Sequence, residues 1–151
     1  MSLDSDLKAV CDYLRSHLKI DVAVGRPNDE AGPGLYVWPW QIVPKTEARN
    51  LPPRQGSGRS LLSFRIHCLL FVTPADTLAT VSSLDLIGKI LQENPIVETP
   101  AGLVRVTLDT MPPADLAALF SAARLQLTLC HAFIVEGSPP YNPHRTLRPD
   151  T

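Results

Sequence analysis

Two adjacent pairs of histidine and cysteine, His67-Cys68 and Cys130-His131, carry the side chains of this sequence best suited to chemistry. Histidine and cysteine are preferred ligands of zinc, and together they can also form a nucleophilic site. Each pair lies in a run that predicts a β-strand, so its two side chains point to opposite faces of a sheet. If these strands paired, each face would hold fewer ligands than the about four of a closed zinc site. We therefore expect ordinary sheet packing here, with no metal site and no catalytic pair.

The other candidate motifs predict no enzymatic site and no cofactor. The stretch GSGRS at residues 56–60 lacks the Gly-Lys-Ser/Thr ending of a phosphate-binding loop and does not join a strand to a helix. Neither Ser57 nor Ser60 has the surrounding pattern of a hydrolase nucleophile elbow. The carboxylates are scattered over predicted turns and helix starts, where capping is their usual role.

Length and composition indicate one globular domain. The chain has 151 residues, of which 44% are hydrophobic and 19% charged, with a formal net charge of -1. This charge argues against a protein built mainly to bind nucleic acid or an anionic membrane. No apolar run approaches a membrane span and the N-terminus lacks a signal-peptide pattern, so we expect no export by that route. Cys11, Cys68 and Cys130 are odd in number and widely spaced, which favours reduced thiols.

Apolar periodicity and turn residues predict an α+β fold. The predicted helices cover residues 4–18, 73–92 and 111–123, and the predicted strands cover 20–25, 35–43, 61–72, 102–110 and 124–135. This order indicates a single mostly antiparallel sheet with about three helices packed on a face. Pro39 cannot donate to a sheet ladder, so its strand is expected to be at an edge or bent there.

The same periodicity predicts the buried positions and the helix caps. Asp4 or Ser5 would cap the first helix, and Thr73 would cap the second, with Pro74 at its first position. The first helix would bury Leu7, Val10, Cys11, Leu14 and Leu18, and the second Leu78, Val81, Leu84, Ile87 and Leu91. The strand at 61–72 would turn Leu62, Phe64, Ile66, Cys68, Leu70 and Val72 to the core, and the last strand would align Leu125, Leu127, Leu129, His131, Phe133 and Val135.

The long loop at residues 44–60 has no periodicity, and connections of this length are usually functional or disordered. Its charged side chains are Lys45, Arg49, Arg54 and Arg59 against Glu47. Two interpretations stay open: a solvated loop, or a segment that becomes ordered against a partner subunit. A second irregular basic segment favours the latter, because the domain is expected at residues 1–137 and an extended tail with Arg145 and Arg148 at 138–151.

Trp38 and Trp40 flank Pro39 and share a strand face with Tyr36. Large aromatic side chains are common both in cores and at interfaces. Packing inside the domain and docking to a partner are therefore both open for these tryptophans.

Several stretches resemble the tail terminators of contractile-tailed phages and the N-terminal domain of tail-cap proteins of contractile injection systems. They are the first helix, then GLYVWPWQIVPKTEARNLPPR with Arg49 and Asn50, then LLSFRIHCLLFV running into TPADTLATVSSLDLIGKILQENPIV. The resemblance covers most of residues 4–135.

This resemblance implies an α+β subunit that assembles as a ring, usually a hexamer, on the last layer of the tail tube. Such a ring stops tube polymerisation and anchors the end of the sheath. The implied partners are other copies of the chain, tube and sheath proteins, and a neck or connector protein, with no membrane and only incidental DNA contact. The implied location is the bacterial cytoplasm during assembly and then the phage tail or injection-system particle. Larger cap proteins continue into a further region, so a minimal terminator is expected here.

We expect the partner contacts to come from the basic segments and the tryptophans: Lys45, Arg49, Asn50, Arg54, Arg59, Trp38, Trp40, Arg145 and Arg148. Three alternatives stay open. The chain could be a transient adaptor or chaperone of a tail or secretion assembly, a small-molecule-binding domain, or a nucleic-acid module that places its basic segment on phosphates.

Overall fold

A computed structural model describes residues 2–26, 34–45, 64–73 and 76–138. These ranges contain three helices and six strands. They are α1 (Leu3–Leu18), β1 (Val22–Val24), β2 (Gly34–Pro44), β3 (Phe64–Thr73), α2 (Thr77–Glu93), β4 (Ile96–Thr99), β5 (Gly102–Asp109), α3 (Pro113–Ala122) and β6 (His131–Ser138). Most of the predicted loop at 44–60 and of the predicted tail at 138–151 lies outside the described residues.

The six strands form one mixed sheet in the order β1-β2-β3-β6-β5-β4. β1 and β2 are parallel, and the other neighbouring strands are antiparallel. The α+β class and the mostly antiparallel sheet are therefore confirmed.

One face of the sheet is covered by α1 and α2, and the main core lies between them. The helical spacing of the apolar side chains explains this layer, since residues three and four apart share one side of a helix. Its buried residues include Leu7, Val10, Cys11 and Leu14 from α1, Leu84, Ile87 and Leu91 from α2, and Leu35, Val37, Ile66, Cys68, Leu70, Val104, Val106, Phe133 and Val135 from the strands. The predicted stripe of α1 is confirmed, apart from the partly buried Leu18.

The opposite face carries a second core cluster under α3. Leu69, Phe71 and Phe120 are its buried members. Leu69 and Phe71 alternate with the inward residues of β3, so this strand is apolar on both faces around its middle. The prediction of helices on one face is wrong, because a strand buried on both faces needs a cover on each.

The second helix differs from its prediction at its start. Asp76 is the N-cap, and its carboxylate accepts a hydrogen bond of 2.8 Å from the backbone N–H of Ala79. Thr73 instead ends β3, where it pairs with Gly34. Leu78 and Val81 are exposed by 82% and 49%, because they lie outside the buried side of α2. That side consists of Thr80, Leu84, Ile87, Gly88 and Leu91. The first helix likewise has Ser2 at its cap position, ahead of the predicted Asp4 or Ser5.

The second half of the sheet also differs from its prediction. β4 was not predicted, because four residues are too short for a clear alternation. The last strand begins at His131, and Leu127 and Leu129 before it are 64% and 49% exposed. Residues 125–130 are needed to return the chain from α3 on one face to the sheet, so they cannot pair as a strand.

Pro39 lies at a position of β2 where its lack of a backbone N–H is tolerated. β1 pairs with Leu35 to Val37, and no other described strand lies on that side of β2, so β2 is at the edge of the described sheet beyond Val37. The register of β2 against β3 also shifts between Pro39 and Gln41. The expected edge position and the expected bend are both present.

Candidate functional site

His67, Cys68 and His131 lie on the paired strands β3 and β6, whereas Cys130 directly precedes β6, and the two His-Cys pairs do not face each other. Cys68 is opposite Phe133, and His131 is opposite Leu70. The His131 Nε2–H donates a hydrogen bond of 2.6 Å to the carbonyl oxygen of Leu84 in α2. A Cβ at Gly88 would lie 3.0 Å from the same nitrogen, so the helix passes close to the ring. His131 therefore joins α2 to the sheet.

The three thiols are protonated at neutral pH. Burial raises the pKa of Cys68 to about 12 and that of Cys11 to about 11, and it also raises the pKa of Cys130. Among the described residues, no group of three or more His, Cys, Asp or Glu side chains is arranged to hold a metal ion. The chemistry that these residue types suggest has no geometric support in this part of the chain.

The predicted partner residues Trp38 and Trp40 are partly buried against the second core cluster. Trp38 meets Phe120 of α3 edge to face, with 6.3 Å between ring centroids, and Trp40 meets His67 in the same way at 5.8 Å. Within the described part of the chain, the indole N–H of Trp40 is buried without a hydrogen-bond partner. Both rings pack inside the domain, and their docking to a partner stays a prediction.

Lys45, the other predicted partner residue within the described ranges, belongs to an ion cluster at one end of the sheet. Its Nζ donates a hydrogen bond of 3.0 Å to the carbonyl oxygen of Gly137 and lies 3.4 Å from Oε2 of Glu136. Nη2 of Arg65 lies 3.8 Å from the same oxygen. We call Lys45, Arg65 and Glu136 the sheet-end cluster. It ties the end of β2 to β3 and β6.

The remaining predicted partner residues, Arg49, Asn50, Arg54, Arg59, Arg145 and Arg148, lie outside the described residues. The structure does show where their segments join the domain. Pro44 is opposite Phe64, and Arg65 is opposite Glu136, two residues before the end of β6. Both basic segments therefore connect to the same end of the sheet, beside the sheet-end cluster.

Sequence reasoning missed a groove between α1 and the β4–β5 turn. Its volume is about 510 Å³, and we call it the acidic groove. Its lining includes three acidic residues, one lysine and one tyrosine: Asp6, Asp12, Glu98, Lys8 and Tyr13. A signal for it was present, because Asp6 precedes Val10 by four residues and so continues the buried stripe of α1.

Comparison of the chain with protein-family models and with curated protein sequences found no match. Within the described ranges, no helix combines the length and apolar character needed to cross a membrane. The function has to be argued from the surfaces of the chain itself, foremost the sheet-end cluster and the acidic groove.

Proposed function

We propose that this chain is a structural assembly protein that terminates the tail tube of a contractile phage tail or injection system. It would act as a ring of identical subunits, usually six in the family that it resembles, at the end of the tube and sheath. The resemblance of residues 4–135 to tail terminators supports this proposal. The α+β fold with its mostly antiparallel sheet is compatible with it.

The observation that carries the proposal is the common origin of the two basic segments. Residues 46–63 and 139–151 both join the domain at the end of the sheet marked by Lys45, Phe64 and Ser138. In a ring, each subunit uses one surface to contact the neighbour on one side and a different surface for the other side. Two polar segments leaving one end of the domain are suited to such a directional contact.

The sheet-end cluster supports the proposal by fixing the base of the first segment. Lys45 is the last described residue before residue 46, and its side chain is only 16% exposed. The contacts with Glu136 and Gly137 order the side chain of Lys45 when the domain folds. Binding of a partner therefore does not have to order this side chain again. A segment with a fixed starting point binds a neighbour at a lower entropic cost.

The proposed partners are other copies of this chain, the tube and sheath proteins, and a neck or connector protein. Arg49, Arg54 and Arg59 would pair with carboxylates or carbonyl oxygens of those partners, since guanidinium groups bind both well. The proposed location is the bacterial cytoplasm during assembly and the tail particle afterwards.

Electron microscopy of tail particles from a strain lacking this gene tests the proposal. Overlong, uneven or uncapped tubes are the expected result, restored to normal length by the intact gene. Particles with normal length and normal ends would contradict tail termination and would favour the transient adaptor.

A variant strain tests the role of the basic segment. Arg49→Ala, Arg54→Ala and Arg59→Ala together should leave the fold intact and reproduce most of the uncapped tubes. Lys89→Ala is the control, because Lys89 is an exposed cation on α2 that pairs with Asp85 within its own helix. Normal tubes in the triple variant would exclude the segment from assembly.

A further inference from the structure

The acidic groove contains a buried acidic residue, Asp6, that makes no hydrogen bond or ion pair with the described part of the chain. Asp6 is only 6% exposed, and among the described residues its carboxylate makes neither a hydrogen bond nor an ion pair. Burial raises the pKa of Asp6, although the positive charges of the N-terminal ammonium and, to a smaller extent, of Lys45 oppose this rise. An ionised carboxylate that is buried without a partner is costly, so native proteins rarely keep one without a use.

Asp12 in the same groove shows the usual arrangement. It lies on the same helix and is 54% exposed at its side chain. Its Oδ1 accepts a hydrogen bond of 2.7 Å from Nη1 of Arg15. The two aspartates therefore differ in both properties: Asp12 is exposed and paired, whereas Asp6 is buried and unpaired.

A second polar group of the groove also lacks a partner. The hydroxyl of Tyr13 is buried and makes no hydrogen bond with a described residue, and the centroid of its ring lies 4.1 Å from that of His17. Asp6 and Tyr13 are seven residues apart, which is about two helical turns, so they lie on the same side of α1. Two residues of the groove lining, Asp6 and Tyr13, thus each carry a polar group that makes no hydrogen bond with the described part of the chain.

We propose that the acidic groove binds an arginine from residues 46–63 of a second copy of this chain. This inference rests on the proposed ring, and it names the acceptor surface on the neighbouring subunit. A guanidinium has five donors, which can satisfy the carboxylate of Asp6 and the oxygen of Tyr13 together. Charge complementarity favours this occupant: Asp6, Asp12 and Glu98 outnumber Lys8 in the groove, and three arginines outnumber Glu47 in the segment.

The length of the segment allows the contact. Its two ends join the sheet at Lys45 and Phe64, so its middle can extend about 30 Å from there. The radius of gyration expected for a compact chain of this size is about 15 Å. The middle of the segment can therefore reach past its own domain to a neighbouring subunit.

A peptide of residues 46–63 provides the direct test. The receiver is the full chain carrying Arg49→Ala, Arg54→Ala and Arg59→Ala, which cannot fill grooves with its own segment. Isothermal titration should show binding of the peptide, and Asp6→Asn in the receiver should raise the Kd at least about tenfold. Asp12→Asn is the matched control: it removes the same charge from the same groove, but its carboxylate is already paired with Arg15. The control should change the Kd less than about threefold.

Three results would overturn the inference. The peptide could fail to bind, Asp6→Asn could leave the Kd unchanged, or a peptide with its three arginines replaced by alanine could bind equally well. Sedimentation of the unmodified chain adds a fourth test. If the unmodified chain stays monomeric at protein concentrations above the Kd of the peptide, each chain fills its groove with its own segment. The assignment of the arginine to a second copy would then be wrong.

These outcomes are independent of the test of tail termination. Normal tubes in the deletion strain would remove the tail function and leave the peptide binding as measured. An unchanged Kd for the Asp6→Asn receiver would exclude the groove as the binding site of the arginine. It would not affect the tube lengths observed in the deletion strain.

Discussion

The sheet-end cluster and the acidic groove each contain a carboxylate that is mostly shielded from solvent. The carboxylate of the cluster is ion-paired, whereas that of the groove has no ion pair with a described residue. Glu136 lies between Lys45 and Arg65, at 3.4 and 3.8 Å from their nitrogen atoms. Asp6 makes no such ion pair with a described residue, and the charges of the N-terminal ammonium and Lys45 only oppose the rise of its pKa. A paired carboxylate contributes to the fold, whereas an unpaired one costs stability and is retained for another reason. The comparison separates a structural charge from a candidate functional one.

The largest expected effect on stability comes from removing the charge of the paired carboxylate, Glu136. Glu136→Gln leaves the cations of Lys45 and Arg65 close together without the negative charge between them, so we expect a loss of about 2 kcal/mol in the free energy of unfolding. Urea denaturation monitored by far-UV circular dichroism measures it. Asp85→Asn is the control, because its pair with Lys89 is about 60% exposed and its loss should cost less than about 0.5 kcal/mol. Equal effects in the two variants would show that the sheet-end cluster contributes no more than a surface pair.

A smaller effect on stability, and one of opposite sign, is expected from removing the charge of the unpaired carboxylate, Asp6. Asp6→Asn removes a buried charge, so the isolated chain should gain about 1 kcal/mol of stability. Because the triple arginine variant isolates the subunit, denaturation of that variant with and without Asp6→Asn measures the gain. A loss of stability would mean that Asp6 has a stabilising role within the subunit.

The pH dependence of the stability gained by Asp6→Asn tests whether the ionised carboxylate of Asp6 is the cause of that gain. The pKa of Asp6 is raised by burial, so the folded chain holds this proton more tightly than the unfolded chain. The cost of the ionised carboxylate is complete above the raised pKa and disappears as the pH falls below the ordinary value near 3.8. The other charged or titratable groups around it are the N-terminal ammonium, Asp4, Lys8, Asp12 and Tyr13 of α1, Lys45 after β2, and Glu98 of β4. The difference between the two chains should therefore shrink as the pH is lowered from neutrality, and a constant difference would contradict the assignment.

The smallest expected effect concerns Tyr13. Tyr13→Phe removes a buried hydroxyl that has no hydrogen-bond partner, so the melting temperature should change little, corresponding to about 0.5 kcal/mol or less. The same variant should weaken peptide binding by about threefold, since one hydrogen bond to the guanidinium is lost. A destabilised chain with unchanged peptide binding would assign the hydroxyl to the fold and not to the groove.

The predictability of the fold varied along the chain with the strength of the local pattern. The stripe of Leu7, Val10 and Leu14 predicts α1 because helical spacing and burial coincide there. The predicted last strand begins seven residues too early, because Leu127 and Leu129 alternate like strand residues but lie outside the sheet. Local alternation cannot reveal that α3 crosses to the other face and that a connection has to return.

The candidate sites were less predictable than the fold. The basic character of residues 44–60 was evident from composition, but the pairing of Lys45 with Glu136 joins residues far apart in the chain. The acidic groove also depends on distant elements, since α1 supplies Asp6 and the β4–β5 turn supplies the facing wall. Sequence spacing alone could not bring these residues together.

The amino-acid sequence by itself determined the local features: helical and alternating apolar spacing, the edge position of Pro39, the reduced cysteines expected from their number, and the two irregular basic segments. The tertiary structure alone decided which charges are paired. Hydrogen bonds and ion pairs act over about 3 to 4 Å, so their partners are set by strand order and helix placement, not by chain position. For that reason Glu136 and Asp6 look equivalent in the sequence, and the fold makes one a structural ion and the other the proposed binding site.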